Sequence, residues 1–125
     1  MLLKAALTGA LLLAGAVTAS TPAAASAPVD GYVWASQVNI RGGGSACTAS
    51  PGRTTCPSVL GRYGPGAVAV FCQKKGEAIS DAGYKSSYWS LIQTPVPGPR
   101  GSWLGGWVSN VYLRGDAILA NVPFC

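Results

Sequence analysis

The chain has 125 residues, with nine basic side chains, four acidic ones and no histidine, for a formal charge of +5 and a charged fraction of only 10%. That length suits one domain, and so low a charged fraction excludes a disordered polyelectrolyte. Without histidine the commonest general base is missing, and with it the Ser-His and Cys-His nucleophile pairs.

The first segment reads Met1-Leu-Leu-Lys4, continues as an apolar run from Ala5 to Val17, and ends through small residues in Ala25-Ser26-Ala27. One positive charge, a short apolar stretch and an A-x-A ending are the three parts of a secretory signal peptide. The expectation is a leader over residues 1–27, cleaved after Ala27, and a secreted domain over 28–125. Spanning the hydrocarbon of a bilayer takes about 20 apolar residues. The run from Ala5 to Val17 is shorter, so no membrane insertion is expected.

Beyond Ala27, glycine and proline punctuate short β-rich runs, and no segment sustains a helical period. Tyr32 to Ile40 is the first run, with Val38 and Ile40 facing one way and Asn39 and Arg41 the other. Gly42-Gly43-Gly44 ends it. Pro57 to Gly61 is the second, followed by the turn Gly64-Pro65-Gly66. Ala67 to Cys72 is apolar on both faces. Tyr88 to Ile92 and Gly106 to Leu113 complete the set, with at most one helical turn near Ser109–Val111. Two longer stretches read as connections: the polar Gln73–Ser87, and the proline-rich Gln93–Gly105 that carries an apolar Trp103. Val38, Ile40, Leu60, Val68, Val70, Ile92 and Val108 are the expected core.

Cys47, Cys56, Cys72 and Cys125 form an even set in a short exported chain, which reads as a disulfide framework. Their spacings of 9, 16 and 53 residues contain no C-x-x-C pair, and with no histidine a zinc site is not expected. Of three possible pairings, the polar loop Thr48–Thr55 favours Cys47–Cys56, which would leave Cys72 to tie Cys125 to a mid-chain strand.

Six short motifs in order resemble a bacterial SH3-like domain. They are Val38-Asn39-Ile40-Arg41, Val59-Leu60-Gly61, Gly64-Pro65-Gly66 before an apolar strand, Trp89-Ser-Leu-Ile92, Gly106-Trp107-Val108, and Tyr112-Leu113. The resemblance spans Val38 to Leu113. It implies an all-β fold, a small SH3-like barrel of five to six antiparallel strands stapled by disulfides, followed by a C-terminal tail. A strand cysteine followed by glutamine, with a terminal cysteine far downstream, is similar to small exported stand-alone members and supports the Cys72–Cys125 pair. The chain departs from the family pattern in the enlarged loop after Arg41, in Gly64-Pro65 at a turn position that is usually basic, and in its two long connections.

The carboxylates Asp30, Glu77, Asp81 and Asp116 all fall at the start of the secreted domain, in the polar stretch or in the tail, where solvated charges normally lie. A glycosidase needs two facing each other across a bond. No enzymatic activity, metal or cofactor is therefore expected. Trp34, Trp89, Trp103 and Trp107, with Tyr32, Tyr84, Tyr88 and Tyr112, are many rings for a small domain, and most would be core. The resemblance implies that Trp89 and Trp107 border a ligand groove with Tyr112, with Asn39 and Arg41 at its edge and Trp103 reaching over it or marking a separate patch. Basic residues are scattered over nearly every loop rather than gathered on one aromatic-lined face, so nucleic acid is not an expected partner. A cell-wall peptide or glycan is the expected ligand, with an exported protein partner as the alternative.

Overall fold

Six strands carry the molecule in a computed structural model that describes residues 27–97 and 103–125. They are β1 (Val29–Val33), β2 (Val38–Gly42), β3 (Ser58–Tyr63), β4 (Gly66–Asp81), β5 (Tyr84–Pro97) and β6 (Trp103–Ser109). A short helix, α1 (Ser45–Ala49), lies between β2 and β3, and a 3-10 turn over Asn110–Tyr112 follows β6. All but the last residue of the expected leader lies outside the described residues. Among the described residues no helix is long and apolar enough to cross a membrane.

The six strands pair antiparallel throughout, and the order across the sheet is β1-β4-β5-β6-β2-β3. The two end strands, β1 and β3, do not pair with each other, so the sheet stays open rather than closing into a barrel. After the 3-10 turn the chain returns to β1 through an antiparallel bridge between Val33 and Leu113.

The alternation along β2 holds as read. Val38 and Ile40 are buried while Asn39 and Arg41 face outward, and Val68, Val70, Ile92 and Val108 join them in one core. Leu60 was expected there and is 44% exposed. It belongs to the edge strand β3, and its side chain lies against Gly42 and Gly106, where no Cβ stands in the way. Leu104, against Gly61, takes a place in the core.

The polar stretch Gln73–Ser87 is not a loop. β4 and β5 run on as one long hairpin closed by Ala82 and Gly83, both at positive φ (52° and 84°). Two central residues at positive φ match the right-handed twist of the flanking strands, and glycine takes the second place without strain. Trp103 likewise sits on a strand, paired with Pro97. The expected helical turn falls at Asn110–Tyr112, whereas α1 was not foreseen.

Both disulfides pair as expected, Cys47 with Cys56 and Cys72 with Cys125, and no free thiol remains. The first closes the α1 loop over the outer face of the sheet, where Cys47 and Cys56 form a second cluster with Ile79, Trp89, Trp107 and Val111. The second fastens a tail that is ordered rather than loose. Gln73 is fully buried, and its amide donates to the carbonyls of Leu119 (2.8 Å) and Val122 (2.9 Å). Its Oε1 accepts from Asn110 Nδ2 (3.0 Å) and the Leu119 N–H (2.8 Å).

Candidate functional site

A cleft of about 470 Å³ opens beside β2, between the α1 loop and the far end of the β4–β5 hairpin. Its floor is apolar, made by Val38, Ile79 and Trp89. Strand alternation puts Asn39 and Arg41 on its wall, while Ile40 turns the other way into the core and Val38, though buried, still closes the floor. Tyr112 arrives from the 3-10 turn and Asp81 from the hairpin end.

Each polar group on the wall has a definable state. The Arg41 guanidinium donates to the Cys56 carbonyl at 3.3 Å, a single bond from a planar fork that carries five donors. Asn39 Oδ1 accepts from Arg62 Nε at 3.0 Å. The Tyr112 hydroxyl donates to Asp81 Oδ2 at 3.0 Å. Burial first, and then that hydrogen bond and the charge of Asp81, push the Tyr112 phenol above its ordinary pKa, so it stays a protonated donor at neutral pH.

Arg53, which also lines the cleft, is held by Glu77. Its backbone N–H donates to Oε1 at 2.7 Å, and its Nε and terminal nitrogen donate to Oε2 at 3.1 and 2.6 Å. Those bonds hold the Glu77 carboxyl below its ordinary pKa, the side-chain hydrogen bond contributing most. The Glu77 carbonyl in turn accepts from Trp89 Nε1 at 2.8 Å, fixing that ring across the floor.

Four of the six expected ligand residues therefore meet: Asn39, Arg41, Trp89 and Tyr112 line one cleft. Trp107 is not on it. That ring borders a separate shallow depression with Phe71, Leu91 and Gly105, where Arg41 provides the shared wall. Trp103 lies on a third surface, with Ala67, Ala69 and Pro95, and does not reach over the first cleft. Trp89 and Trp107 were expected to border a ligand groove. They are only 3% and 7% exposed, because the disulfide loop closes over them.

Sequence reading missed Arg53, Ile79 and Asp81 on the cleft. All three sat in stretches read as solvated loops, and they arrive through the β4–β5 hairpin and its contact with the α1 loop. The signal that could have found them is the period-two placement of Ile79 and Asp81 before a two-residue turn. Among the described residues no cluster of Cys, Asp or Glu could hold a metal ion. No family model matches the chain, and neither the curated proteins nor the solved structures compared with it give a match.

Proposed function

We propose that the chain is a secreted, non-catalytic SH3-like binding module whose first cleft takes a cell-envelope ligand, a peptidoglycan peptide or glycan. The observation that carries this reading is the convergence of Asn39, Arg41, Trp89 and Tyr112 on one open cleft. An apolar floor beneath a few placed polar groups is the usual anatomy of a ligand site. One carboxylate side chain, Asp81, lines it, and that carboxylate is engaged by Tyr112. The SH3-like assignment is supported by the order of the six motifs and by the bridge that returns the chain to β1 after the 3-10 turn. Export is supported by the two disulfides, which persist in oxidising compartments.

The test is co-sedimentation with purified cell wall. Trp89→Ala and Trp107→Ala would read out folding rather than binding, since both rings are core. Arg41→Ala and Tyr112→Phe probe the cleft directly. Arg41→Ala should weaken retention about thirtyfold, the scale of a binding hot spot. Unchanged retention in both folded variants rejects the cleft.

One observation favours a second reading, an adaptor that docks an exported protein. Trp103, 57% exposed, and Val96 stand out from the sheet far from the first cleft. Tryptophan is enriched at protein hot spots. Affinity capture from secreted proteins that is lost in Trp103→Ala, with wall retention absent, would select this reading.

A further inference from the structure

A second cleft, of about 340 Å³, lies between the tip of the β4–β5 hairpin and the start of the tail and shares no lining residue with the first. None of the motif residues that define the first cleft lines it. Its back wall is Trp34. The indole Nε1 donates to the Val111 carbonyl at 2.8 Å and the Trp34 backbone N–H to the Tyr112 carbonyl at 3.1 Å, so the ring cannot swing. The Tyr84 ring lies 5.5 Å from that indole, centroid to centroid, tilted by 53°, and the Tyr112 ring lies 6.1 Å from it.

Tyr84 is 59% exposed although it sits on a well-paired strand end. Around it Lys85 and Asp116 bring one charge of each sign, and neither joins an ion pair among the described residues. Arg114 on the same rim is fixed over the Tyr32 ring at 3.9 Å. Gly115, at φ 121°, turns the chain so that Asp116 follows it back toward the sheet.

The polar groups deeper in this cleft are already spent. Ser86 Oγ donates to the Ala117 carbonyl (2.7 Å), and Asn110 Nδ2 donates to Gln73 and to Ala117. The lining backbone is engaged as well. Tyr84 and Lys85 pair with Asp81 and Ser80, and the N–H groups of Leu113 and Arg114 donate to Asn110 and Tyr32. A peptide that binds by adding a strand needs free main-chain groups, and this rim offers few. It offers a held aromatic face, a free phenol, a carboxylate and an ammonium. Those groups suit a flat-faced ring with hydroxyls on its perimeter.

We propose that this second cleft is a saccharide subsite, with a pyranose ring against Tyr84 and Trp34 and its hydroxyls on Asp116, Lys85 and the Tyr84 phenol. The proposal rests on the envelope-binding reading only for the source of the glycan. Its chemistry stands on the cleft itself.

The experiment titrates the isotope-labelled chain with chitotetraose and, separately, with cellotetraose, following amide and indole shifts by NMR. The expected result is a saturable shift of the Tyr84, Lys85 and Asp116 amides and of the Trp34 indole with at least one sugar. A response to chitotetraose alone would add that an acetamido group is read. Tyr84→Ala should weaken binding about tenfold, Asp116→Asn should weaken it less, and Arg41→Ala, in the other cleft, should leave the shifts at Tyr84, Lys85 and Asp116 as they are. Tyr84 is exposed, so its variants should keep the spectrum of the folded chain, and Tyr84→Phe isolates the phenol from the ring. No shift with either sugar at millimolar concentration overturns the proposal, as do shifts confined to the first cleft or unaffected by Tyr84→Ala. Wall retention lost in Arg41→Ala without any sugar shift would remove this subsite and keep the first cleft. Sugar shifts with retention insensitive to Arg41→Ala would do the reverse.

Discussion

The disulfide loop and the tail both pack on the same sheet, yet different chemistry holds each of them down. The loop from Cys47 to Cys56 covers the outer face with apolar matter: its disulfide is buried against Trp89, Trp107 and Ile79. Its polar links stay near the surface, in Lys74 Nζ to the Thr48 carbonyl at 2.9 Å and in the Arg53–Glu77 pair. The tail brings little apolar surface, chiefly Val122 and part of Leu119, while Ile118 and Phe124 are exposed. What seats it is a buried set of amides and hydroxyls, Gln73, Asn110 and Ser90, with no buried side-chain polar atom left unpaired among the described residues. Apolar burial degrades gradually when it is trimmed. A buried polar network fails abruptly, because each removed partner strands another group away from water.

The largest expected effects come from the staples themselves. The two crosslinks close 9 and 53 residues. Replacing Cys72 and Cys125 by serine should cost about 4 kcal/mol, and replacing Cys47 and Cys56 about 3, if chain entropy dominates. Urea unfolding of the two variants under oxidising conditions measures both. Equal costs, or a larger one for the short loop, would mean that the buried Cys47–Cys56 sulfurs matter more as core than as a crosslink.

Next in size is Gln73→Leu with both disulfides intact. The side chain is nearly conserved in volume, but the carbonyls of Leu119 and Val122 and the N–H of Leu119 lose their partner. A loss of about 3 kcal/mol is expected, read as a lower urea midpoint. A loss under about 1 kcal/mol would show that the crosslink alone seats the tail. On the other side of the comparison, Gly76→Ala attacks the loop's contact with β4. A Cβ there would overlap the Pro51 carbonyl oxygen, so strand and loop would have to separate. About 2 kcal/mol is the expected scale for forcing such an overlap. The outer-face cluster should loosen while the Gln73 network persists, which hydrogen exchange at the two sites would separate.

The same contrast explains what could be read beforehand. Val38 and Ile40 alternate with Asn39 and Arg41 in the way that any half-buried strand must, so both core and cleft wall were legible there. The cysteine pairing was legible because a short polar loop and a terminal cysteine leave a simple solution. Gln73 was not legible. A buried glutamine next to two lysines looks like a loop, and only the returning tail, some forty-six residues on, makes burial affordable. The hairpin beyond Gln73 was hidden for a related reason. Lys74, Lys75 and Glu77 lie on strand, two of them opposite Trp89 and Tyr88, but Lys74 and Glu77 send their charged ends to the α1 loop, so no apolar alternation records the strand. Trp89 and Trp107 were placed on the right strands, but how deeply their rings are buried was not legible. Their cover is the disulfide loop, a contact remote in the chain that strand periodicity does not encode.

The smallest effect expected, and the one that separates the two segments by condition rather than by mutation, concerns Arg53 and Glu77. The Glu77 carboxyl is held below its ordinary pKa chiefly by the Arg53 side chain, then by the Arg53 backbone N–H. A carboxylate with a depressed folded-state pKa contributes stability that is present above its unfolded value, about 4.3 for glutamate, and that is lost as pH falls through the lower folded value. The loop should therefore loosen below that pH. The tail should not, because Gln73, Asn110 and Ser90 carry no titrating group. The Arg53 side chain is 61% exposed and Glu77 34%, so solvent and salt screen their attraction strongly. Glu77→Gln should accordingly remove the acid-dependent part of loop protection and change overall stability only slightly, with less change still at high salt. Amide exchange at Arg53, whose N–H bonds to Glu77, measured against exchange at Leu119 across acid pH, reads both segments in one experiment. Parallel acid weakening at the two amides, or weakening at Arg53 that survives Glu77→Gln, would show that this ion pair does not set the loop's response to acid.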